Sequence, residues 1–137
     1  MKGFIKCTKK YQNAVILAKD ECVEQIKREI KNVSNFIFVK TLDEFKENIK
    51  PDSFLAFSMA ITDLNSIKKL IKQFPNCIFY IIHELPGAWP LEDYAEIKKE
   101  KNISNRSYLV YELINLIKKV VKPEKAEYQP PRRKLRG

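Results

Sequence analysis

Residues 77–82 read CIFYII, six consecutive residues without a charged side chain. A short continuous apolar run of this kind is typical of a strand that is buried on both faces, as the strands of parallel sheets are. Three further stretches have the same character: residues 13–18 (NAVILA), residues 36–39 (FIFV) and a strand within residues 53–61 (SFLAFSMAI). The sequence therefore predicts four buried strands.

A helical pattern follows each of the first three predicted strands in chain order, those in residues 13–18, 36–39 and 53–61. Thr41 and Glu44 have the spacing of a capping box, and Asp63 is expected to cap the helix after it. Because parallel strands need crossover connections, the alternation predicts a three-layer α/β/α sandwich with a mostly parallel sheet of four or five strands. The apolar helix positions, spaced by three and four residues, are Val23, Ile26, Ile30 and Val33, then Leu42, Phe45 and Ile49, then Leu64, Ile67, Leu70, Ile71 and Phe74.

The last third of the chain has a looser pattern. Residues 84–91 (ELPGAWPL) form a turn-rich loop, and residues 92–100 are predicted to contain a short polar helix. A brief edge strand is expected at residues 102–104. A long helix, capped by Ser107, is expected over residues 108–121.

The charge of the chain is concentrated at its two ends. The whole sequence carries +9, of which residues 1–12 contribute +4 and residues 118–137 contribute +6, while residues 13–117 sum to −1. A well-mixed solvated surface does not separate charge in this way. The basic ends are therefore predicted to have polyanionic or acidic partners.

The same pattern divides the chain into three parts. Residues 1–12 form a basic N-terminal segment, with a possible edge strand at residues 4–7. Residues 13–122 form a single α/β domain. Residues 123–137, rich in proline and arginine, are expected to be a flexible basic tail.

Composition excludes several classes of protein. Three glycines in 137 residues leave no Gly-rich phosphate loop, and no apolar run approaches the ~18 residues of a membrane span. The three cysteines are widely spaced and without a CxxC pair, so they predict reduced thiols rather than disulfides or a zinc site. We expect a cytoplasmic protein without a cofactor and without a membrane partner.

One family resemblance rests on two stretches. Residues 14–21 (AVILAKDE) resemble the first strand and acidic turn of response-regulator receiver domains, and residues 53–75 resemble their third strand, loop and third helix. The similarity extends over roughly residues 13–121. It implies a flavodoxin-like fold with a site at the carboxyl ends of the strands.

The chain departs from that family at the site itself. In receivers, two acidic residues and a phospho-accepting aspartate surround Mg²⁺, and a hydroxyl residue and a lysine complete the site. Here Lys19 stands at the first acidic place, Ser58 at the accepting aspartate and His83 near the hydroxyl residue, and no lysine lies around Ser104 and Asn105. The resemblance therefore implies a pseudo-receiver that cannot take the aspartyl phosphate.

The same edge of the sheet carries the candidate catalytic residues Ser58, His83 and Asp20. A Ser/His/acid set can support nucleophilic chemistry, but Ser58 has no Gly-x-Ser-x-Gly elbow around it. Asp20 and Glu21, with Glu84, are candidate Mg²⁺ ligands, although acidic residues also favour helix starts. A lone histidine that follows a buried strand can be a general base or a polar residue at the sheet edge. We favour the structural interpretation, with no catalytic and no metal site.

Two features predict a protein partner. Trp89 lies in a proline-rich loop, where it either anchors an interface or folds back over the end of the sheet. The last helix has an apolar surface wider than one face of a sheet requires, because Val110, Tyr111, Ile114 and Val121 broaden its stripe. This surplus indicates a partner or homodimer surface, or cover by the N-terminal segment; we favour the protein interface.

The basic ends predict nucleic-acid contacts. Cations at such ends reach phosphates without reading sequence, and no zinc finger, helix-turn-helix or RNP pattern is present. An acidic protein partner or a solubilising tail are the alternatives. The residues assigned to phosphate contact are Arg132, Arg133, Lys134 and Arg136 in the tail, with Lys9 and Lys10 near the N-terminus.

Together these features predict a non-catalytic adaptor or accessory subunit. It is expected to bind a protein partner and, through its basic termini, nucleic acid or a nucleoprotein assembly. The alternatives are a degenerate receiver-like module that binds a regulatory protein, and a small hydrolase or phosphotransfer enzyme with a site at the carboxyl ends of the strands.

Overall fold

The computed structural model describes residues 11–84 and 89–122. The strands within these ranges are β1 (Asn13–Leu17), β2 (Phe36–Val39), β3 (Ser53–Ser58), β4 (Phe79–Ile82) and β5 (Ile103–Tyr108). The helices are α1 (Asp20–Glu29), α2 (Leu42–Glu47), α3 (Leu64–Gln73), α4 (Leu91–Ile97) and α5 (Val110–Val120). Strand and helix alternate along the described chain, as the sequence predicts.

The sheet is parallel and flavodoxin-like. Its strand order is β2-β1-β3-β4-β5, and every pairing between neighbouring strands is parallel. This is the doubly wound order in which the chain first moves to one side of β1 and then to the other. The predicted three-layer α/β/α sandwich is confirmed, with five strands.

Two apolar cores flank the sheet, because side chains alternate along each strand. In β1, Val15 and Leu17 face the core that is covered by α2, α3 and α4, whereas Ala14 and Ile16 face the core that is covered by α1 and α5. The second core is closed by Cys22, Val23 and Ile26 of α1 and by Leu113, Ile114 and Ile117 of α5.

The predicted start of α2 is confirmed as a capping box. The Thr41 hydroxyl accepts a hydrogen bond from the Glu44 N–H (3.2 Å), and the Glu44 carboxylate accepts one from the Thr41 N–H (3.3 Å). Asp63 occupies the N-cap position of α3, as expected, and hydrogen bonds with Ser66 lower the pKa of its carboxyl.

The boundary between β5 and α5 differs from the prediction. Ser107 and Tyr108, expected to cap and begin the helix, belong to β5 and pair with Ile81 and Ile82. The register of this pairing shifts within β5, and the Ser104 hydroxyl accepts the Ile81 N–H (3.3 Å) in the irregular part. This irregularity lengthens the strand, so α5 begins at Val110.

The first residues of the described chain join the fold. Tyr11 pairs with Val121 in a parallel bridge: the Tyr11 N–H donates to the Val120 carbonyl, and the Lys122 N–H donates to the Tyr11 carbonyl, both at 2.9 Å. Tyr11 and Gln12, which the charge pattern places in the N-terminal segment, are thus part of the domain. The possible edge strand at residues 4–7 lies outside the described residues.

In residues 11–84 and 89–122, no helix combines the length and the apolar character needed to cross a membrane.

Candidate functional site

The candidate catalytic residues lie where the carboxyl ends of the central strands meet. Ser58 ends β3, His83 follows β4, and Asp20 begins α1 shortly after β1. Ligands of doubly wound sheets bind at this edge, so the topology places the three residues in the expected region. Their surroundings nevertheless differ from one another.

Ser58 is enclosed in the protein. Its side chain is fully buried (0% exposed), and its hydroxyl accepts a hydrogen bond from the Ala60 N–H at 3.1 Å. A serine nucleophile must reach a substrate and lie beside a base. Ser58 is held instead as a local turn residue at the end of β3.

His83 lines a cavity, but without the other two candidates. The cavity has a volume of about 230 Å³ and lies between the starts of α1 and α5 and the end of β4; Glu21, Cys22 and Glu84 also line it. Neither Asp20 nor Ser58 reaches this cavity. Asp20 is exposed and forms an ion pair with Lys40. The structure therefore does not assemble a Ser/His/Asp site.

Glu84 is a buried acidic residue at the same edge of the sheet. It is 5% exposed, and its carboxylate accepts the Lys19 N–H at 3.1 Å, which joins the end of β4 to the end of β1. Burial, and then the nearby Glu84 charge, raise the pKa of the Cys22 thiol to about 12, so this cysteine stays protonated near neutral pH. Among the described residues, no group of three or more His, Cys, Asp and Glu side chains could hold a metal ion.

Trp89 folds back onto the domain, the second of its two alternatives. Its indole N–H donates to the Thr62 carbonyl at 3.0 Å, and its ring centroid lies 6.2 Å from that of Phe57. The side chain is half-buried against the core of α2, α3 and α4. Trp89 thus covers the carboxyl end of β3.

The wide apolar stripe of α5 is covered mainly within the domain. Ile114 is 3% exposed and Val121 is 5% exposed, because α1 packs on α5 and Tyr11 pairs with Val121. These two residues, which were expected to contact a partner, are thus covered by other elements of the domain, and a partner contact through α5 stays a prediction. Val110 is half-buried, and Tyr111 keeps 58% of its surface exposed.

The two ends of the described chain meet at the opposite edge of the sheet, where the strands begin. Asn35, directly before β2, joins them. Its side-chain amide donates to the Gln12 carbonyl and to the Lys122 carbonyl, both at 2.9 Å. Gln12 also donates its N–H to the Asp52 carbonyl (3.2 Å), in front of β3. These contacts fix the position of both chain ends; we call this arrangement the chain-end clamp.

An apolar groove lies next to the chain-end clamp. It has a volume of about 250 Å³ and runs between the C-terminal ends of α1 and α5. Its apolar lining is Ile30, Phe36, Ile117 and Val121, and its polar lining is Lys31, Asn32, Lys118 and Lys122. We call it the amino-edge groove.

The three lysines of the amino-edge groove have no carboxylate partner in the described part of the chain. The ion pairs formed there by Asp20, Glu96, Glu100 and Glu112 use other cations. Within the described residues, the ammonium groups of Lys31, Lys118 and Lys122 are therefore not engaged in ion pairs. An apolar floor with an unneutralised basic rim suits an anion that carries an apolar body.

The sequence pattern alone did not reveal this groove. Lys31 and Lys118 are 87 positions apart, and only the adjacent C-terminal ends of α1 and α5 bring them together. The segregated charge at the two ends of the sequence was the available signal. The predicted phosphate-binding residues Lys9, Lys10, Arg132, Arg133, Lys134 and Arg136 lie outside the described residues.

No family model, no curated protein and no solved structure matches this chain.

Proposed function

We propose that the protein is a non-catalytic accessory module that binds nucleic acid at the amino edge of its sheet. The observation that carries the proposal is the pairing of Tyr11 with Val121. Lys9 and Lys10 directly precede Tyr11 in the chain, and the basic residues of the tail follow Val121. The points at which the two basic segments join the domain are therefore neighbours, and we expect the charges of both segments to act on one ligand.

The amino-edge groove supports the same location. Lys31, Lys118 and Lys122 add cations on the folded surface beside the chain-end clamp. Binding that rests on phosphate contacts alone is salt-dependent, and its Kd is ~10⁻⁴–10⁻⁶ M at physiological salt. We expect an affinity in this range, without strong sequence preference.

A cytoplasmic location is part of the proposal. It is supported by Cys22 and Cys77, which are buried and unpaired in the described structure, as thiols of a reducing compartment are.

The test is fluorescence anisotropy with a labelled oligonucleotide over a series of salt concentrations. The variant K118Q/K122Q removes two charges from the amino-edge groove, and K46Q/K69Q removes two exposed charges from α2 and α3, on the other side of the sheet. We expect the first variant to bind several-fold more weakly with a smaller salt slope, and the second to bind like the wild type. Deletion of residues 124–137 should weaken binding further.

Two outcomes would overturn the proposal. One is retention of full affinity at low salt after residues 124–137 are removed and Lys118 and Lys122 are replaced. The other is an equal loss in the two lysine variants, because it would mean that net charge alone, and not the amino edge, determines binding.

A protein contact through the start of α5 is the second candidate. It is favoured by Tyr111 (58% exposed) and Leu109 (38% exposed), large apolar side chains one turn or less from the N-terminus of α5. A homodimer formed there would be weakened by Tyr111→Arg in sedimentation equilibrium, and Gln73→Arg, at an exposed site of α3 on the other side of the sheet, is the control. If the protein sediments as a monomer at all concentrations, a homodimer through the start of α5 is excluded.

A further inference from the structure

We infer that the preferred ligand of the amino-edge groove is single-stranded nucleic acid, with one unstacked base lying on Phe36. This inference rests on the proposed function and specifies its ligand. Duplex binding needs only cations, because the phosphates face outward and the bases are stacked inside. The amino-edge groove adds an apolar floor to its cations, and a duplex cannot use that floor.

The volume of the groove suits one flat ring. Its volume, about 250 Å³, lies below the ~300–1,000 Å³ of pockets that enclose whole drug-sized ligands. Phe36 is the one aromatic residue of its lining, half-buried, with Ile30, Ile117 and Val121 completing the apolar floor. Stacking on an aromatic ring is tolerant of base identity, because every base has a π-face.

The rim of the groove fits the backbone of a strand. Lys31 lies at the end of α1, whereas Lys118 and Lys122 lie at the end of α5, so cations stand on both sides of the apolar floor. A base on the floor then has cations on either side for the phosphates that flank it. The side-chain oxygen of Asn32 accepts from Ser34 at 2.8 Å, which leaves the Asn32 amide group as the donor toward a base.

The neighbouring aromatic residue provides a matched control. Phe38 also lies on β2, with its ring centroid 5.8 Å from that of Phe36, but it does not line the amino-edge groove, and the Lys27 ammonium lies 5.4 Å from its ring. Replacing either phenylalanine by leucine keeps an apolar side chain and removes a ring face. A merely structural effect should appear in both variants.

The experiment measures the anisotropy of one labelled 20-nucleotide sequence, as a single strand and as a duplex, against the full chain. We expect the single strand to bind more tightly by ~5-fold to ~100-fold, the range that one stacked base supplies. F36L should bring the single strand close to the duplex affinity and leave duplex binding unchanged. F38L should leave the preference as it is, and thermal unfolding should show that both variants are folded.

The outcomes separate this inference from the proposed function. Equal affinity for the two forms, with sensitivity to K118Q/K122Q, overturns the single-strand inference and leaves the proposed function standing. If F36L loses the same amount of affinity for the single strand and for the duplex, the single-strand inference is also overturned. Absence of binding to either form overturns both, and binding to vesicles that contain phosphatidylserine, without binding to oligonucleotides, would assign the groove to lipid instead.

Discussion

Replacing Asn35 by alanine should loosen the two ends of the domain together. Asn35 is 9% exposed, and its side-chain amide donates to the Gln12 carbonyl and to the Lys122 carbonyl, 23 and 87 positions away in sequence. No other side chain in the described part of the chain donates to both segments. Asn35→Ala removes both hydrogen bonds in one step.

The size of the effect follows from the groups involved. Each hydrogen bond contributes about 0.5–1.5 kcal/mol net, so the two lost bonds cost about 1–3 kcal/mol. The side-chain oxygen of Asn35 is buried without a hydrogen-bond partner in the described structure, and its removal relieves part of that cost. We expect a net destabilisation of about 1–2 kcal/mol, which corresponds to a fall in Tm of about 5 °C for a domain of this size.

Asn35→Asp separates the role of the donor from the role of the shape. Aspartate has nearly the same size, but it directs a carboxylate oxygen at the two carbonyls in place of the amide N–H groups. We therefore expect Asn35→Asp to be less stable than Asn35→Ala. Asn65→Ala, at an exposed site of α3, should leave stability unchanged or slightly raised and is the control.

Urea unfolding followed by circular dichroism measures these differences. Hydrogen exchange then localises them, because the amides of Tyr11 and Lys122 form the bonds between the chain ends and should exchange faster in both Asn35 variants. A stability of Asn35→Asp equal to that of the wild type would refute the assignment of the amide as the link. So would unchanged exchange at Tyr11 and Lys122.

Three further predictions concern other parts of the domain. Hydrogen bonds from the backbone of Lys40 and Thr41 lower the pKa of Glu44 below its ordinary value of 4.5. The contribution of Glu44 to stability is therefore present above pH 4.5 and is lost as the pH falls through the lower folded value. The difference in stability between the wild type and Glu44→Gln should shrink on acidification, as urea unfolding at pH 7 and pH 3 would show. Since burial holds the Cys22 thiol protonated, Cys22 in a C7S/C77S background should react with a thiol reagent at pH 8 far more slowly in native than in unfolded protein, and equal rates would contradict its burial. Fluorescence of Trp89, the one tryptophan of the chain, should be less quenched by acrylamide in native than in unfolded protein, and Phe57→Ala should increase the quenching.

The buried strands could be predicted from the sequence because a strand that is buried on both faces is a continuous run of apolar residues. β1 and β4 are short continuous apolar runs that are buried within the predicted ranges. β2 also lies within its predicted range, but the expectation that it is buried on both faces is wrong: it is at the margin of the sheet, and Ile37 is 41% exposed. The capping box at Thr41 is equally local, since both of its hydrogen bonds join residues three apart. Such features depend on near neighbours in the chain.

β5 could not be predicted in full, because its sequence is not a continuous apolar run. Residues 103–108 read ISNRSY, and the strand lies at one margin of the sheet with an irregular pairing to β4. Polar side chains are compatible with an edge strand, so the pattern indicated only a brief strand and an early helix. The pairing of Ile82 with Tyr108, 26 positions apart, is what extends it.

The candidate site was predictable in its charge but not in its geometry. The two basic ends are evident in the sequence. Nothing in the sequence, however, indicates that Asn35 and Phe36 lie beside the C-terminal end of α5. Conversely, the strand pattern alone places Ser58, His83 and Asp20 after the carboxyl ends of their strands, but the orientation of their side chains depends on how that edge is filled. Trp89 and Glu84 fill much of it.

The alternation of strands and helices explains why Tyr11 and Val121, near the two ends of the described chain, lie at the same edge of the sheet. Each parallel strand runs from the amino edge to the carboxyl edge, and each crossover helix returns the chain to the amino edge. A chain that begins with a strand and ends with a helix therefore starts and finishes at the same edge. Here α5 lies on the same face as α1, beside β1, so Tyr11 and Val121 come into register. The same charges placed in the loop after β3 would stand at the carboxyl edge, beside the buried Glu84. Position in sequence, through topology, thus decides at which edge of the sheet a charged terminal segment joins the domain.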